Sequence, residues 1–201
     1  MLFRSNDTLR GGAGADLLDG GFENDLLDGG EDSDTYLASG ADPMYTDWQT
    51  WTFQGYDTYA DSGLTGVDVI LAEGFGAVDI GLLNFGPASG IEQIINATEA
   101  GSLVRLLGNW QNNTLDFSAT ELLGGPFQID SGDGNDTIVG SAGADDIRGG
   151  RDNDVLDGAG GGDTYRVSGA NPYWVAGMPY LFEGYDTYND SGIGIDGTDR
   201  I

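Results

Sequence analysis

Residues 11–37 read GGAGADLLD, GGFENDLLD and GGEDSDTYL, three nine-residue units that follow one another without a gap. Residues 131–166 repeat the pattern as SGDGNDTIV, GSAGADDIR, GGRDNDVLD and GAGGGDTYR. Every unit has aspartate at its sixth position and an apolar side chain two residues later. With the half-unit NDTLR before residue 11, eight aspartates share this register: Asp7, Asp16, Asp25, Asp34, Asp136, Asp145, Asp154 and Asp163.

A tight glycine-rich loop followed by a short strand is the structure that each unit predicts. Glycine supplies the positive φ angles that such a loop needs. One unit cannot bury its single apolar side chain, but stacked units line these side chains up into a narrow core between two sheets. The sequence therefore predicts an all-β parallel solenoid with two nine-residue units in each coil.

A longer repeat lies above the short one, because residues 11–63 match residues 140–192 at an offset of 129. It predicts one complete module and one truncated module of a tandem array, which we interpret as a fragment of a larger protein. The first module covers residues 1–130, with nonapeptides at 6–37, an aromatic insert at 38–54, a capping segment at 55–66 and bridging β-coils at 67–130. The second covers 131–201, with nonapeptides at 131–166, an insert at 167–183 and a capping segment at 184–201.

The composition limits the kinds of partner that the chain can bind. The formal net charge is -27, and the chain contains no lysine, histidine or cysteine. Binding to nucleic acid or to an anionic membrane requires clustered basic residues, so neither is expected. No apolar run is long enough to cross a bilayer. Soft metals lack their usual ligands here, whereas the carboxylate and carbonyl oxygens that remain suit calcium.

These nonapeptides resemble the RTX, or hemolysin-type, calcium-binding repeats. The resemblance implies a right-handed parallel β-roll, or β-helix, with aromatic-rich β segments inserted into it. It also implies that the sixth-position aspartates bind several calcium ions, each ion lying between one loop and the loop two repeats later. Members of this family are secreted bacterial proteins, exported unfolded through a type I secretion channel.

The resemblance also implies particular ligand sets. One site would take Gly11, Ala13 and Ala15 with Gly30, Asp32 and the Asp34 carboxylate, and its counterpart Gly140, Ala142, Ala144, Ala159, Gly161 and Asp163. Another would join Ser131, Asp133 and Asn135 to Gly150, Asp152 and Asp154. Asp7 and Asp25 belong to a site whose first loop, residues 2–5, lacks the glycines.

The family often follows its last repeat with a GxDTIxDxxGxD segment, and GYDTYADSGLTGVD at residues 55–68 resembles it. This segment and its second copy add secondary metal candidates, which are calcium ligands or simple turn residues: Asp57, Asp61, Asp186 and Asp190. The inserts that precede the two copies depart from the family pattern. Their aromatic side chains predict either a hydrophobic flap over the thin roll or a platform for extracellular glycans, with candidate residues Trp48, Trp51, Trp174 and Tyr180.

No pair of carboxylates stands apart from the repeat, and the sequence contains no nucleophile or base motif. We therefore expect a non-enzymatic module with no catalytic residues, and the RTX resemblance implies that it binds calcium outside the cell or at the bacterial surface. A calcium-dependent carbohydrate-binding or adhesin module is the alternative. In either case, the other partners that we expect for this chain are neighbouring modules of the same parent protein.

Overall fold

The computed structural model describes residues 5–39, 55–167, 185–189 and 191. Seventeen short strands account for nearly all of the regular structure in these residues. Those of the first half are β1 (Thr8–Ala13), β2 (Leu17–Leu18), β3 (Leu26–Glu31), β4 (Thr35–Ser39), β5 (Tyr56–Ala60), β6 (Val69–Glu73), β7 (Val78–Leu82) and β8 (Gln93–Asn96). The remainder are β9 (Val104–Leu107), β10 (Thr114–Asp116), β11 (Glu121–Leu123), β12 (Phe127–Asp130), β13 (Thr137–Val139), β14 (Asp146–Arg148), β15 (Val155–Asp157), β16 (Thr164–Tyr165) and β17 (Thr187–Asn189).

Three sheets stack these strands, and every described strand pairing is parallel. The long sheet has eight strands in the order β1-β3-β5-β7-β9-β12-β14-β16. The five-stranded sheet runs β11-β8-β6-β4-β2, and the four-stranded sheet runs β10-β13-β15-β17. Neighbours in a sheet come from successive coils, so the chain winds as a solenoid. The predicted all-β parallel β-roll is confirmed.

The coils change shape along the solenoid. We call the nonapeptides of residues 6–37 the first block and those of residues 131–166 the second block. In the first block the coils alternate between the long and five-stranded sheets, and in the second block between the long and four-stranded sheets. The coils between the blocks visit all three sheets, because Phe85 bridges to Leu115 of β10 on the way from β7 to β8, and β10 lies between β9 and β11. The interior is therefore widest in the middle of the solenoid.

The core consists of the inward-pointing residues of successive strands. In the nonapeptides these are the apolar residues two places after the register aspartates, as the alternation of side chains along a strand requires. Leu9 is partly buried, and the other members are at most 4% exposed: Leu18, Leu27, Tyr36, Ile138, Ile147, Leu156 and Tyr165. Each nonapeptide thus contributes one buried apolar side chain to the core.

Left-handed backbone conformations recur at the second and fourth positions of the nonapeptide loops. Gly30 and Gly150, at the second position, have φ angles of 105° and 107°. A Cβ atom at either glycine would overlap a carbonyl oxygen of the loop stacked beneath it, on Gly12 or Gly132. Asp32 has a φ of 79° at the fourth position, which shows that this place tolerates a side chain.

The tyrosine of each DTY sequence joins two coils through its hydroxyl group. Tyr36 is fully buried; its hydroxyl accepts a hydrogen bond from the Gly29 N–H at 2.8 Å and donates one to the Ala60 carbonyl at 2.6 Å. Tyr165 makes the equivalent bonds with Gly158 and Asn189. Each hydroxyl thus bonds backbone groups of two successive coils.

Among the described residues, no helix is long and apolar enough to span a membrane. Two short 3₁₀ helices, Pro87–Ser89 and Glu99–Gly101, are the only helical turns in them. Ala38 and Ser39 continue β4, and the rest of the first insert lies outside the described residues. The predicted inserted β segments therefore stay a prediction.

We predict that Tyr36→Phe lowers the free energy of unfolding of the calcium-bound chain by about 1–3 kcal/mol, since it removes the hydroxyl partner of the buried Gly29 N–H and of the half-buried Ala60 carbonyl. Tyr59→Phe is the matched control. Tyr59 is also buried, but its hydroxyl lies 3.5 Å from the Asp57 carboxylate and bonds no backbone group. Urea unfolding of both variants measures the difference, and equal losses would contradict the bridging role of the Tyr36 hydroxyl.

Candidate metal centres

The register aspartates form ladders along the solenoid. Within a ladder, the backbone N–H of one aspartate donates to a carboxylate oxygen of the aspartate one coil later. Asp25 bonds the Asp7 amide at 2.7 Å in this way, and Asp57 bonds the Asp25 amide at 2.9 Å. The other ladders follow the same rule, with the amide of the earlier aspartate donating to the carboxylate of the later one. The pairs are Asp16 with Asp34, Asp34 with Asp68, Asp136 with Asp154, Asp154 with Asp186, and Asp145 with Asp163.

The second oxygen of most ladder carboxylates is buried. In Asp16, Asp25, Asp34, Asp136 and Asp154 this Oδ2 atom has no hydrogen-bond partner among the described residues. Four of them, all but Asp136, lie against the first glycine of their own unit: a Cβ atom at Gly20 would be 2.5 Å from Asp25 Oδ2. Buried carboxylate oxygens without a donor are costly unless a cation compensates them. The residues therefore fit the calcium ions that the nonapeptide pattern implies.

The structure brings together the loop pairs that the sequence predicted. The Gly14 amide donates to the Glu31 carbonyl at 3.2 Å, so the Gly11–Ala15 loop stacks on the loop that carries Gly30 and Asp32. In the second block the Arg151 amide donates to Gly132, and Gly160 donates to Ser141. These contacts stack the loop of Ser131, Asp133 and Asn135 on that of Gly150 and Asp152, and the loop of Gly140, Ala142 and Ala144 on that of Ala159 and Gly161. At each pair of stacked loops, backbone carbonyls and carboxylates of both loops therefore lie along the same edge of the solenoid.

One edge gathers three carboxylates. Oxygen atoms of Asp34, Asp61 and Asp68 all lie within 4.8 Å of one another. Asp34 is 1% exposed and Asp68 2%, and Asp61 also accepts a hydrogen bond from the Gly30 amide at 3.0 Å. We interpret this group as the carboxylate-richest candidate site of the described residues. Reasoning from the sequence missed Asp68, although the last aspartate of the GxDTIxDxxGxD segment pointed to it.

The other secondary candidates extend the ladders. Asp57 is 6% exposed and Asp186 is half-buried, and the second oxygen of each faces a tyrosine hydroxyl, Tyr59 at 3.5 Å and Tyr188 at 3.3 Å. Asp190 and the candidate sugar-stacking residues lie outside the described residues: Trp48, Trp51, Trp174 and Tyr180.

Asp145 departs from the ladder pattern at the boundary of the second block. Both of its carboxylate oxygens accept hydrogen bonds from Ser141, whose amide lies 2.7 Å from Oδ2. Eighteen residues before this loop the chain has no nonapeptide, so the Asp145 carboxylate has no preceding loop with which to share an ion. Ser141 satisfies the carboxylate in its place.

Asn113 shows how a coil stacks without a metal ligand. Its amide oxygen accepts from the Asn109 N–H at 2.8 Å, and its NH₂ group donates to Asn109 Oδ1 at 3.3 Å. Its backbone N–H donates to Asp136 Oδ1, so it occupies the ladder position of an aspartate. A neutral amide supplies both an acceptor and a donor, which removes the need for a cation.

Burial raises the pKa of several ladder carboxylates. Loss of hydration is the largest cause in each case, opposed by backbone hydrogen bonds to the ionised form. It raises the pKa of Asp57, Asp68 and Asp145 to about 6 and that of Asp154 to about 7. The pKa values of Asp25 and Asp136 are raised for the same reason. Ionised ligand groups are thus disfavoured in the folded chain until a cation binds.

Residues 4–36 and 130–165 match the family profile of the RTX calcium-binding nonapeptide repeat, in four copies. The match coincides with the two blocks that carry the aspartate ladders and leaves residues 37–129 between them unmatched. Comparison with curated proteins and with solved structures gives no match.

We predict that Asp154→Ala raises the calcium concentration needed for half-maximal folding far more than Asp116→Ala does. Asp154 is 1% exposed and holds an unpartnered Oδ2, whereas the Asp116 carboxylate only caps the Ser118 amide of a coil without metal ligands. Circular dichroism titrations with calcium give the two midpoints. Equal midpoints would show that the ladder position does not identify the ligands.

A second prediction concerns pH. An aspartate has a pKa of about 3.9 when unfolded. Where folding raises that pKa, the calcium-free fold is most stable below it and loses this stability as pH rises through the folded value. The loss runs from about pH 4 up to about pH 6 for Asp68 and up to about pH 7 for Asp154. After calcium is removed on a chelating resin, the β signal should be larger at pH 5 than at pH 8.

Proton and calcium compete for the same oxygens, so the calcium midpoint should rise as pH falls from 7.5 to 5.5. The control is Asp154→Asn, which removes the group whose pKa is raised furthest and should flatten both dependences. A midpoint independent of pH in the unmodified chain would contradict the buried-carboxylate description.

Proposed function

We propose that this chain, whose two matched blocks are RTX calcium-binding nonapeptide repeats, is a structural module of a secreted or cell-surface bacterial protein. Its repeat blocks fold when calcium binds outside the cell. The RTX repeat is a calcium-binding structural module, and calcium is its ligand. The further steps, secretion and folding after export, are the proposal.

The row of buried, unpartnered carboxylate oxygens carries this proposal. Asp25, Asp34, Asp136 and Asp154 are each at most 3% exposed, and each has an Oδ2 atom without a donor. Breaking the compensation of a buried charge costs about 3–5 kcal/mol, so several such groups exceed the net stability of a typical domain. The blocks can adopt this fold at neutral pH only when cations neutralise the ladders.

Calcium at external concentrations provides a free energy of the required size. An ion at about 100 times its dissociation constant stabilises the folded state by ~2.7 kcal/mol per site. The two blocks supply four loop pairs, one ending on each of Asp25, Asp34, Asp154 and Asp163, so together they would contribute about 11 kcal/mol. Little of this is present at the low free calcium of a cytosol. The difference favours an unfolded chain inside the cell and a folded one outside.

This behaviour suits export through a type I secretion channel, which requires an unfolded chain. The module boundaries that we propose are those of the sequence repeat, residues 1–130 and 131–201. Continuous parallel pairing between β12 and β14 and between β10 and β13 crosses the boundary at residue 130. Neighbouring modules would therefore join into one solenoid.

We propose no enzymatic role for the chain. The ladder carboxylates bond backbone amides of the adjacent coil, and this use leaves them as structural and metal-binding groups. Asp79 is held by both nitrogen donors of Arg105 at 2.6 Å, which makes it an ion-pair partner as well. A module that binds calcium to shape itself is the function that these contacts support.

The test is a calcium titration followed by circular dichroism and by calorimetry on the same preparation. We expect β structure to grow sigmoidally with calcium, because each ion joins two stacked coils. Magnesium should substitute poorly, since it requires near-octahedral geometry and dehydrates reluctantly. Independent binding to a chain whose spectrum in excess EGTA already equals the calcium-bound one would overturn the proposal.

A further inference from the structure

Residues 69–129 separate the two repeat blocks, and their interior is built from apolar side chains. They supply thirteen of the 22 buried apolar residues in the described part of the chain, so more than half of the core lies where no nonapeptide does. Phe85 and Phe117 stack there with ring centroids 5.1 Å apart and an interplanar angle of 28°. The three-sided coils allow this, because they enclose a wider interior than the two-sided coils of the blocks.

The buried polar groups of this segment satisfy one another without charge. Asn96 accepts from the Thr98 amide and hydroxyl and donates to the Ser102 and Pro126 carbonyls. The Thr120 hydroxyl donates to the Ile91 carbonyl at 3.0 Å. Across residues 69–135 no buried side-chain oxygen lacks a hydrogen-bond partner, in contrast to the blocks on either side. Nothing in the interior of this segment requires a cation.

Both blocks are attached directly to this segment. On one side β6 pairs with β4 along its full length, and Asp68 accepts the Asp34 amide at 2.7 Å. On the other side β10 pairs with β13, and the Asn113 amide donates to Asp136 Oδ1 at 2.7 Å. Each block therefore pairs with an edge strand of residues 69–129, and this pairing sets the register of the block.

We propose that residues 69–129 form a calcium-independent template on which both repeat blocks fold when calcium arrives. The first coil of a solenoid must form without a neighbour, whereas each later coil gains the interface with the one before it. A preformed template removes that first cost for both blocks. The calcium-driven folding of the blocks rests on the proposed function, but the stability of the template without calcium does not.

Hydrogen exchange with mass spectrometry on the full chain at pH 7.5 tests the proposal. In EGTA, amides of residues 78–129 should exchange at least about 100-fold more slowly than those of residues 5–39 and 136–166. Equal, rapid exchange in all three regions would overturn the template. Calcium should then protect both blocks. If calcium protected neither block while residues 78–129 stayed protected, the proposed function would fail and the template would stand.

A matched pair of variants tests the templating step. Leu106 and Leu156 are 0% and 1% exposed, and alanine removes the same atoms from either. Leu106→Ala lies in the template and touches no predicted ligand, so it should raise the calcium midpoint for protection of both blocks. Leu156→Ala should raise the midpoint of the second block alone. An unchanged first-block midpoint in Leu106→Ala would overturn the templating role.

Discussion

The fold depends on aspartate carboxylates whose two oxygen atoms have different roles. In Asp25, Asp34 and Asp154, Oδ1 accepts the backbone N–H of the aspartate one coil earlier, as Asp34 does for Asp16 at 2.7 Å. This bond fixes the spacing and register of the stack. It also holds the carboxylate inside the loop, where Oδ2 is buried with no donor. The residue that aligns two coils therefore creates the unsatisfied charge that calcium must compensate. Alignment and ion binding cannot be separated in these blocks.

Asparagine occupies a ladder position without the charge. At Asn113 the backbone N–H donates to Asp136 of the next coil, while the side-chain oxygen and NH₂ group bond Asn109 of its own loop. Asn96 satisfies four backbone and hydroxyl groups in the same region. A solenoid of one backbone design thus contains two kinds of coil. Those with register aspartates bury carboxylate oxygens that have no donor, and those with asparagine bury neutral polar groups that are hydrogen-bonded.

The sequence predicted the blocks well, because a nine-residue period fixes both the turn and the inward residue of every strand. Leu27 and Ile138 are buried where the period places them. The three-sided coils could not be predicted in the same way. Residues 67–130 have no period, so nothing in the sequence indicates that Phe85 would bridge to Leu115 and open a third sheet. The Tyr36 hydroxyl bridge also escaped prediction, since its partners lie seven and 24 residues away.

The candidate ligands could likewise be predicted only in part. The nonapeptide register gives the aspartates and the loop pairs, but it does not reveal which carboxylates are satisfied by the protein itself. Asp145 occupies a register position, yet Ser141 bonds both of its oxygens. Asp68 has no nonapeptide around it, yet it lies within 4.8 Å of Asp34 and Asp61. Whether a carboxylate needs a cation depends on the hydrogen bonds that its own loop and the stacked coils supply, and the nine-residue register does not specify these. The candidate ligands of each site come from two stacked coils, so we expect the affinity for calcium at each site to depend on whether both coils have formed.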